Sequence, residues 1–199
     1  VADQTVTATT TDNDVAGFTV AQTGGSTSVN ESGSTDTFTI VLNAQPASNV
    51  VLSITSSDTG ESSVTSLLTF TNANWNTPQT VTVTGVDDNI IDGTISSTIT
   101  ASIDDANSDN NFDNLPDQTL TATTTDNDVA GFTIAETGGS TSVAETGTTD
   151  TFTIVLNAQP ASNVVLTVTS SDTGEATVNT PLTFTSANWN TAQTVTVTG

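Results

Sequence analysis

Every charged side chain in this 199-residue sequence is a carboxylate: there are 22 aspartates and glutamates, with no lysine, arginine, histidine or cysteine. The acids are bunched. The stretch TTTDNDVAGF occurs at Thr9 to Phe18 and again at Thr123 to Phe132, so Asp12 and Asp14 recur as Asp126 and Asp128 around an asparagine. GVDDNIIDG sets Asp87 and Asp88 side by side, with Asp92 four residues after Asp88, around the apolar pair Ile90 and Ile91. Clustered oxygens with no local counter-charge are chemistry for a hard cation. Calcium takes about six to eight oxygen ligands at roughly 2.3–2.6 Å without a rigid geometry, whereas zinc, copper and nickel favour the imidazole and thiolate ligands this chain lacks.

Each acid also has a plainer reading. A lone residue such as Asp150 or Glu61 reads as a solvated turn carboxylate or one capping its own turn. GVDDNIIDG reads as metal-binding because three acids crowd one short loop. DANSDNNFDNLPD stays open between an ion held in its own loop and a solvated excursion. It is not the twelve-residue calcium loop of a helix-loop-helix site, since it lacks the central glycine, the terminal glutamate and flanking helices.

The composition also sets what is not expected. With nothing positive to meet phosphate, nucleic acid is an unsuitable partner, and an anionic membrane surface would repel the chain. No long apolar span or signal segment is visible. Catalysis has little to use, because no His, Lys, Cys or Tyr is present. Carboxylate pairs alone can hydrolyse glycosides, but these acids lie in turns repeated between copies, so no enzyme is expected. Acidity often signals disorder. Here 33% of residues are hydrophobic, and they alternate in short runs.

Those runs are the elements that must position the acids. Sliding the chain on itself gives an offset of 114 residues (126 − 12, Asp12 onto Asp126) with roughly four positions in five identical. That is the size of a domain, not of a solenoid turn. Residues 1–11 match 115–125 and read as the last strand of a preceding repeat. Residues 12–125 are a complete repeat, and 126–199 a second one truncated before its last strands. Val1 is no translational start, so the chain reads as an interior piece of a longer protein. As written, the second repeat leaves strand edges unpaired. Donation of residues 1–11 from a neighbouring chain, giving self-association into a fibre, is one physical solution.

Within the complete repeat the period is two throughout. TDTFTIVL turns Phe38, Ile40 and Leu42 inward, NVVLSIT does so for Val50, Leu52 and Ile54, and QTVTVTG for Val81 and Val83; TISSTITASID adds Ile99, Ala101 and Ile103. Threonine fills the outward positions, polar yet at ease in strands. Turn residues such as Gly24-Gly25, Asn43 to Pro46 and Asp92-Gly93 punctuate the runs. The fold class is therefore all-β, a tandem antiparallel β-sandwich of immunoglobulin-like type with about seven to eight strands per repeat. Phe38, Ile40, Leu52, Ile54, Val81, Val83 and Ile99 should share one core. Trp75 and Trp189, equivalent in NANWNTPQ and SANWNTAQ, should plug one end of it. Alternate strand ends meet at one pole of such a sandwich, where acids distant in sequence can converge.

The order of these features resembles the Calx-β family: an early Glu in a short strand, an Asp-Thr-Gly turn, a strand ending in Asp-Asp, and an aspartate-rich exit from the last strand. The resemblance implies a sandwich that binds calcium at one pole beside the linker to the next domain. It places the early glutamate on Glu31, the turn aspartate on Asp58, the pair on Asp87 and Asp88, a following acid on Asp92, and the exit aspartates on Asp126 and Asp128. In the second copy it places Glu145 and Asp172. Asn127 departs from the usual exit triplet, and Asn-Ile-Ile-Asp-Gly is thinner than the usual acidic run. The Thr/Asp/Gly bias and near-identical copies also resemble extender regions of calcium-dependent bacterial surface adhesins of the repeats-in-toxin type. The implied function is a non-catalytic, calcium-stabilised extender module of a large exported cell-surface protein, with adjacent repeats of the same chain as partners. A carbohydrate-binding or directly adhesive module, using Trp75 or the calcium pole itself, is the alternative.

Overall fold

Alternating runs become strands where their apolar positions can share a face, and this sequence does so fifteen times. A computed structural model describes residues 1–199, and by contact the chain divides into two compact units. The first comprises Val1–Val29, Gly33–Val86 and Ser96–Thr124; the second comprises Asn30–Ser32, Asp87–Ile95 and Thr125–Gly199. Residues 1–17 carry no regular secondary structure.

The first repeat builds nine strands: β1 (Phe18–Gln22), β2 (Thr27–Asn30), β3 (Thr35–Leu42), β4 (Val50–Ser56), β5 (Ser62–Val64), β6 (Leu67–Phe70), β7 (Gln79–Gly85), β8 (Ile95–Ile103) and β9 (Gln118–Thr125). They form a four-stranded sheet in the order β1-β3-β7-β5 and a five-stranded sheet in the order β2-β9-β8-β4-β6. Antiparallel register sets Phe38 opposite Val81, and Leu52 opposite both Leu68 and Ile103. All seven residues expected in the core lie buried in one cluster, together with Phe18, Val50, Phe70, Phe112 and Ala122. Trp75 packs half-buried against that cluster, and its carbonyl accepts the Leu42 amide at 3.1 Å. The packing is what an end plug requires.

Two features go beyond the alternation. The three-residue β5 has little apolar content; what holds it is a polar seam, in which the buried Ser62 hydroxyl meets those of Ser97 at 2.7 Å and Ser56 at 3.0 Å. Most of the DANSDNNFDNLPD stretch is exposed, but two of its side chains turn inward. Asp109, buried, accepts the amides of Ala47 (2.6 Å) and Ser48 (2.9 Å) on Oδ2 and that of Asn111 (3.0 Å) on Oδ1. Phe112, three residues on, is buried in the core.

The second unit repeats the pattern in β10 (Phe132–Glu136), β11 (Thr149–Leu156), β12 (Val164–Leu166), β13 (Thr177–Val178), β14 (Leu182–Phe184) and β15 (Gln193–Thr198). Its sheets run β10-β11-β15-β13 and β12-β14. The register carries over: Phe152 faces Val195 as Phe38 faces Val81. Burial does not carry over, since Phe132 is 51% exposed where its counterpart Phe18 is 4% exposed.

Candidate metal centre

Glu31 follows β2 in a tight turn that includes Gly33, whose φ is +83°, a region other residues rarely adopt. The Glu31 amide donates to the carbonyl of Thr125 at 3.1 Å, which fastens this turn to the last residue of β9. The exit segment Asp126-Asn127-Asp128 is thereby delivered to the Glu31 carboxylate. The Asn127 amide donates to Glu31 Oε2 at 3.1 Å, and the Asn127 side chain donates to Asp87 Oδ1 at 2.9 Å. Asp126 accepts the Asp128 amide on Oδ1 (2.6 Å) and the amides of Gly93 (2.9 Å) and Asp92 (3.1 Å) on Oδ2. Asp88 Oδ1 accepts the Ile90 amide at 2.6 Å and so shapes the turn of its own loop. Glu31, Asp87, Asp88, Asp92 and Asp126–Asp128 all belong to the second unit.

The outcome is one carboxylate oxygen each from Glu31, Asp126 and Asp128 within 4.8 Å of one another. Glu31 is 1% exposed, and its Oε1 is buried with no hydrogen-bond partner; Asp128 Oδ2 is likewise buried and unpartnered. An unsatisfied buried polar group costs about 1–3 kcal/mol, and more when charged. Two unit charges 4 Å apart repel by roughly 4 kcal/mol near a protein surface. Burial first, and then the neighbouring acids, push the Glu31 carboxyl above its ordinary range, although the Asn127 amide pulls the other way. The same two causes raise Asp128. Asp126 is held below the ordinary carboxylate range, chiefly by the amides of Gly93 and Asp128. A raised pair beside a lowered acid is a set of oxygens competing for protons that a cation would displace.

The donor set is all oxygen, which fits calcium or magnesium and not a metal that seeks nitrogen or sulfur. Ligands on opposite sides of a calcium ion stand at most about 5 Å apart, so the 4.8 Å spread is within reach of one ion.

The remaining expected ligands stand elsewhere. Asp58 is exposed and accepts the Gly60 amide on Oδ1 at 3.1 Å, closing its own turn; Asp172 does the same with Gly174 at 3.0 Å. Asp12 and Asp14 are exposed, and the Asp14 amide donates to Asp12 Oδ1 at 3.0 Å, the local turn seen again at Asp126 and Asp128. Glu145 is exposed, unlike Glu31. Asp150 does act locally, accepting the amides of Ser142 and Thr151, each at 2.7 Å. Glu61, which reads as a solvated turn acid, is in fact buried at 6% exposure. Its acidic neighbours in sequence gave no sign of that. Asn127, which reads as a gap in the acidic exit, is the residue that hydrogen-bonds two of the acids at once.

No family model and no curated protein matches the chain. Among solved structures it is similar to the chaperone DraB of E. coli, with TM-score 0.40, 10% identity, and coverage of 91% of this chain and 86% of that one. It is similar to CBD12 from CALX1.2 at TM-score 0.35 and 14% identity, covering 90% and 75%. It is also similar to domains 5-6 of the S-layer protein SbsC at TM-score 0.37 and 15% identity, covering 94% and 84%. Likeness at this level says nothing about ligand or partner. No helix of the chain is long and apolar enough to cross a membrane.

Proposed function

We propose that this chain is a non-catalytic structural module stabilised by calcium, part of a larger exported surface protein in which such repeats act as extenders. The supporting observation is the Glu31 carboxylate. It is buried, one oxygen has no partner, and it faces Asp126 and Asp128 in a chain with no cationic side chain. A calcium ion held by Glu31, Asp126 and Asp128, in the field of Asp87, Asp88 and Asp92, would replace that repulsion with coordination. Because Glu31 comes from one repeat and Asp126 and Asp128 lead into the next, the ion would stiffen the passage between them. The sequence resemblance to Calx-β domains agrees with this reading, and the exported placement proposed with it would expose the site to extracellular calcium.

Calorimetric titration of the 199-residue chain with calcium is the test. Saturable binding is expected, with the folded state gaining RT ln(1 + [L]/Kd), about 4 kcal/mol at a thousandfold excess over Kd. Magnesium, which demands a tighter octahedral shell, should bind more weakly. No heat at millimolar calcium would leave these acids as simple surface charge.

A further inference from the structure

Between the acids of GVDDNIIDG lie three uncharged residues, Asn89, Ile90 and Ile91, for which the candidate metal centre has no use. The loop is pinned on either side of them. Asp88 Oδ1 accepts the Ile90 amide at 2.6 Å, and Asp126 Oδ2 accepts the amides of Asp92 and Gly93. The tip meets another segment of the second unit: the Asn89 carbonyl accepts the Gln159 amide at 2.7 Å, and Ile90 forms a parallel bridge with Gln159. The receiving turn is itself anchored. Gln159 Nε2 donates to the Ser186 carbonyl at 2.9 Å, and the Asn157 amide donates to the Gly131 carbonyl at 2.9 Å. Gln159 is half-buried where its counterpart Gln45 is exposed, the reverse of the trend set by Phe132 and Phe18. By contact Asp87–Ile95 groups with the second unit, although in sequence it belongs to the repeat before.

We propose that the tip formed by Asn89 and Ile90 is a docking element and the turn at 157–160 its receptor, an interaction surface by which one repeat seats on the next copy of itself. Neutral residues suit the place, because acidic repeats repel and an uncharged tip approaches its neighbour without adding to that repulsion. The bond joins two backbone groups, so it depends on the shape of the loop and not on which side chain stands at position 89. Both repeats carry the receiving sequence Asn-Ala-Gln-Pro-Ala-Ser, at 43–48 and 157–162, so the surface is a property of the repeat. The acidic loop then moves with the repeat that follows it. No carboxylate enters the contact between Asn89 and Gln159, so the proposal does not rest on the calcium reading.

Amide exchange in the 199-residue chain, with chelator present, tests this independently of any ion. Identical neighbours at 43–48 and 157–162 give the Gln45 and Gln159 amides the same intrinsic exchange rate. The Gln159 amide is expected to exchange about tenfold or more slowly than that of Gln45. A second chain carries Asn89→Gly, Ile90→Gly and Ile91→Gly, which keeps every acid and the loop length but loosens the tip. There the Gln159 rate should rise toward that of Gln45, while the Leu156 amide, bonded to the Trp189 carbonyl, keeps its rate. Equal rates at Gln45 and Gln159 in the parent chain, or undiminished protection of Gln159 in the glycine variant, would overturn the proposal. The first comparison needs no variant, so it decides even where glycine loosens the whole second unit.

Discussion

Glu31 concentrates the chemistry of this protein in one side chain. Burial raises its pKa, as it does that of Asp128, so the folded state binds more protons than the unfolded chain between the ordinary carboxylate range and the raised values. Stability of the calcium-free protein must then fall as pH rises through that window. Calcium competes with those protons, so its stabilising effect should grow over the same rise. Thermal melts from pH 7 down to about 5, with chelator and with calcium, should converge toward the acid end. Glu31→Gln should remove most of the calcium-induced melting shift and leave the chelated protein as stable as before or more so. A Glu31→Gln chain that kept the full shift would exclude Glu31 as a ligand. Asp109 is the opposite case. Three amides hold its pKa down, so its contribution is present above the ordinary aspartate value and is lost only as pH falls below it. Asp109→Asn should cost about 1–3 kcal/mol at neutral pH, read by urea unfolding, because an amide nitrogen cannot accept the bonds it would face.

At the scale of strands, burial predicts unequal costs for equal substitutions. Phe38 is 1% exposed in the first core, whereas Phe152, its counterpart on β11, is only partly buried. Phe38→Ala should cost about 3–5 kcal/mol and Phe152→Ala distinctly less; equal losses in denaturant unfolding would contradict the burial. The strands themselves were legible because period-two alternation is a local property, and the 114-residue repeat allowed each run to be read twice. β5 was not legible, since Ser62 is held by hydroxyls from β4 and β8 that no local pattern announces. Glu61 failed for a related reason: its burial depends on neighbours remote in sequence. Asp87, Asp88, Asp126 and Asp128 stood out as clustered acids. Their approach to Glu31 depends on β2 and β9 being neighbours in the sheet, an order that no single segment announces; the resemblance named the residues, not the strand order. Asn127 was invisible as a contributor because half its role is played by a backbone amide, which every residue but proline has.

For the molecule as a whole, the two units should not melt together. The first closes two sheets over a continuous core, while the second leaves Phe132, Ile134 and Val165 each more than half exposed. Calorimetry in chelator should therefore resolve two transitions, the lower one belonging to the second unit. Glu31, Asp87–Ile95 and Asp126–Asp128 all group with that unit by contact, so calcium bound there should raise the lower transition further than the upper. A net charge of −22 adds a second, less specific term. Sodium chloride shortens the screening length to about 10 Å at 0.1 M and should lift both transitions gradually, without saturation, by damping repulsion across the surface. Calcium at constant ionic strength should instead give a saturating lift that Asp126→Asn with Asp128→Asn abolishes. If calcium merely tracked the sodium curve, moving both transitions alike in parent and double variant, the ion would be acting as a counter-ion cloud and not as a ligand of a built site.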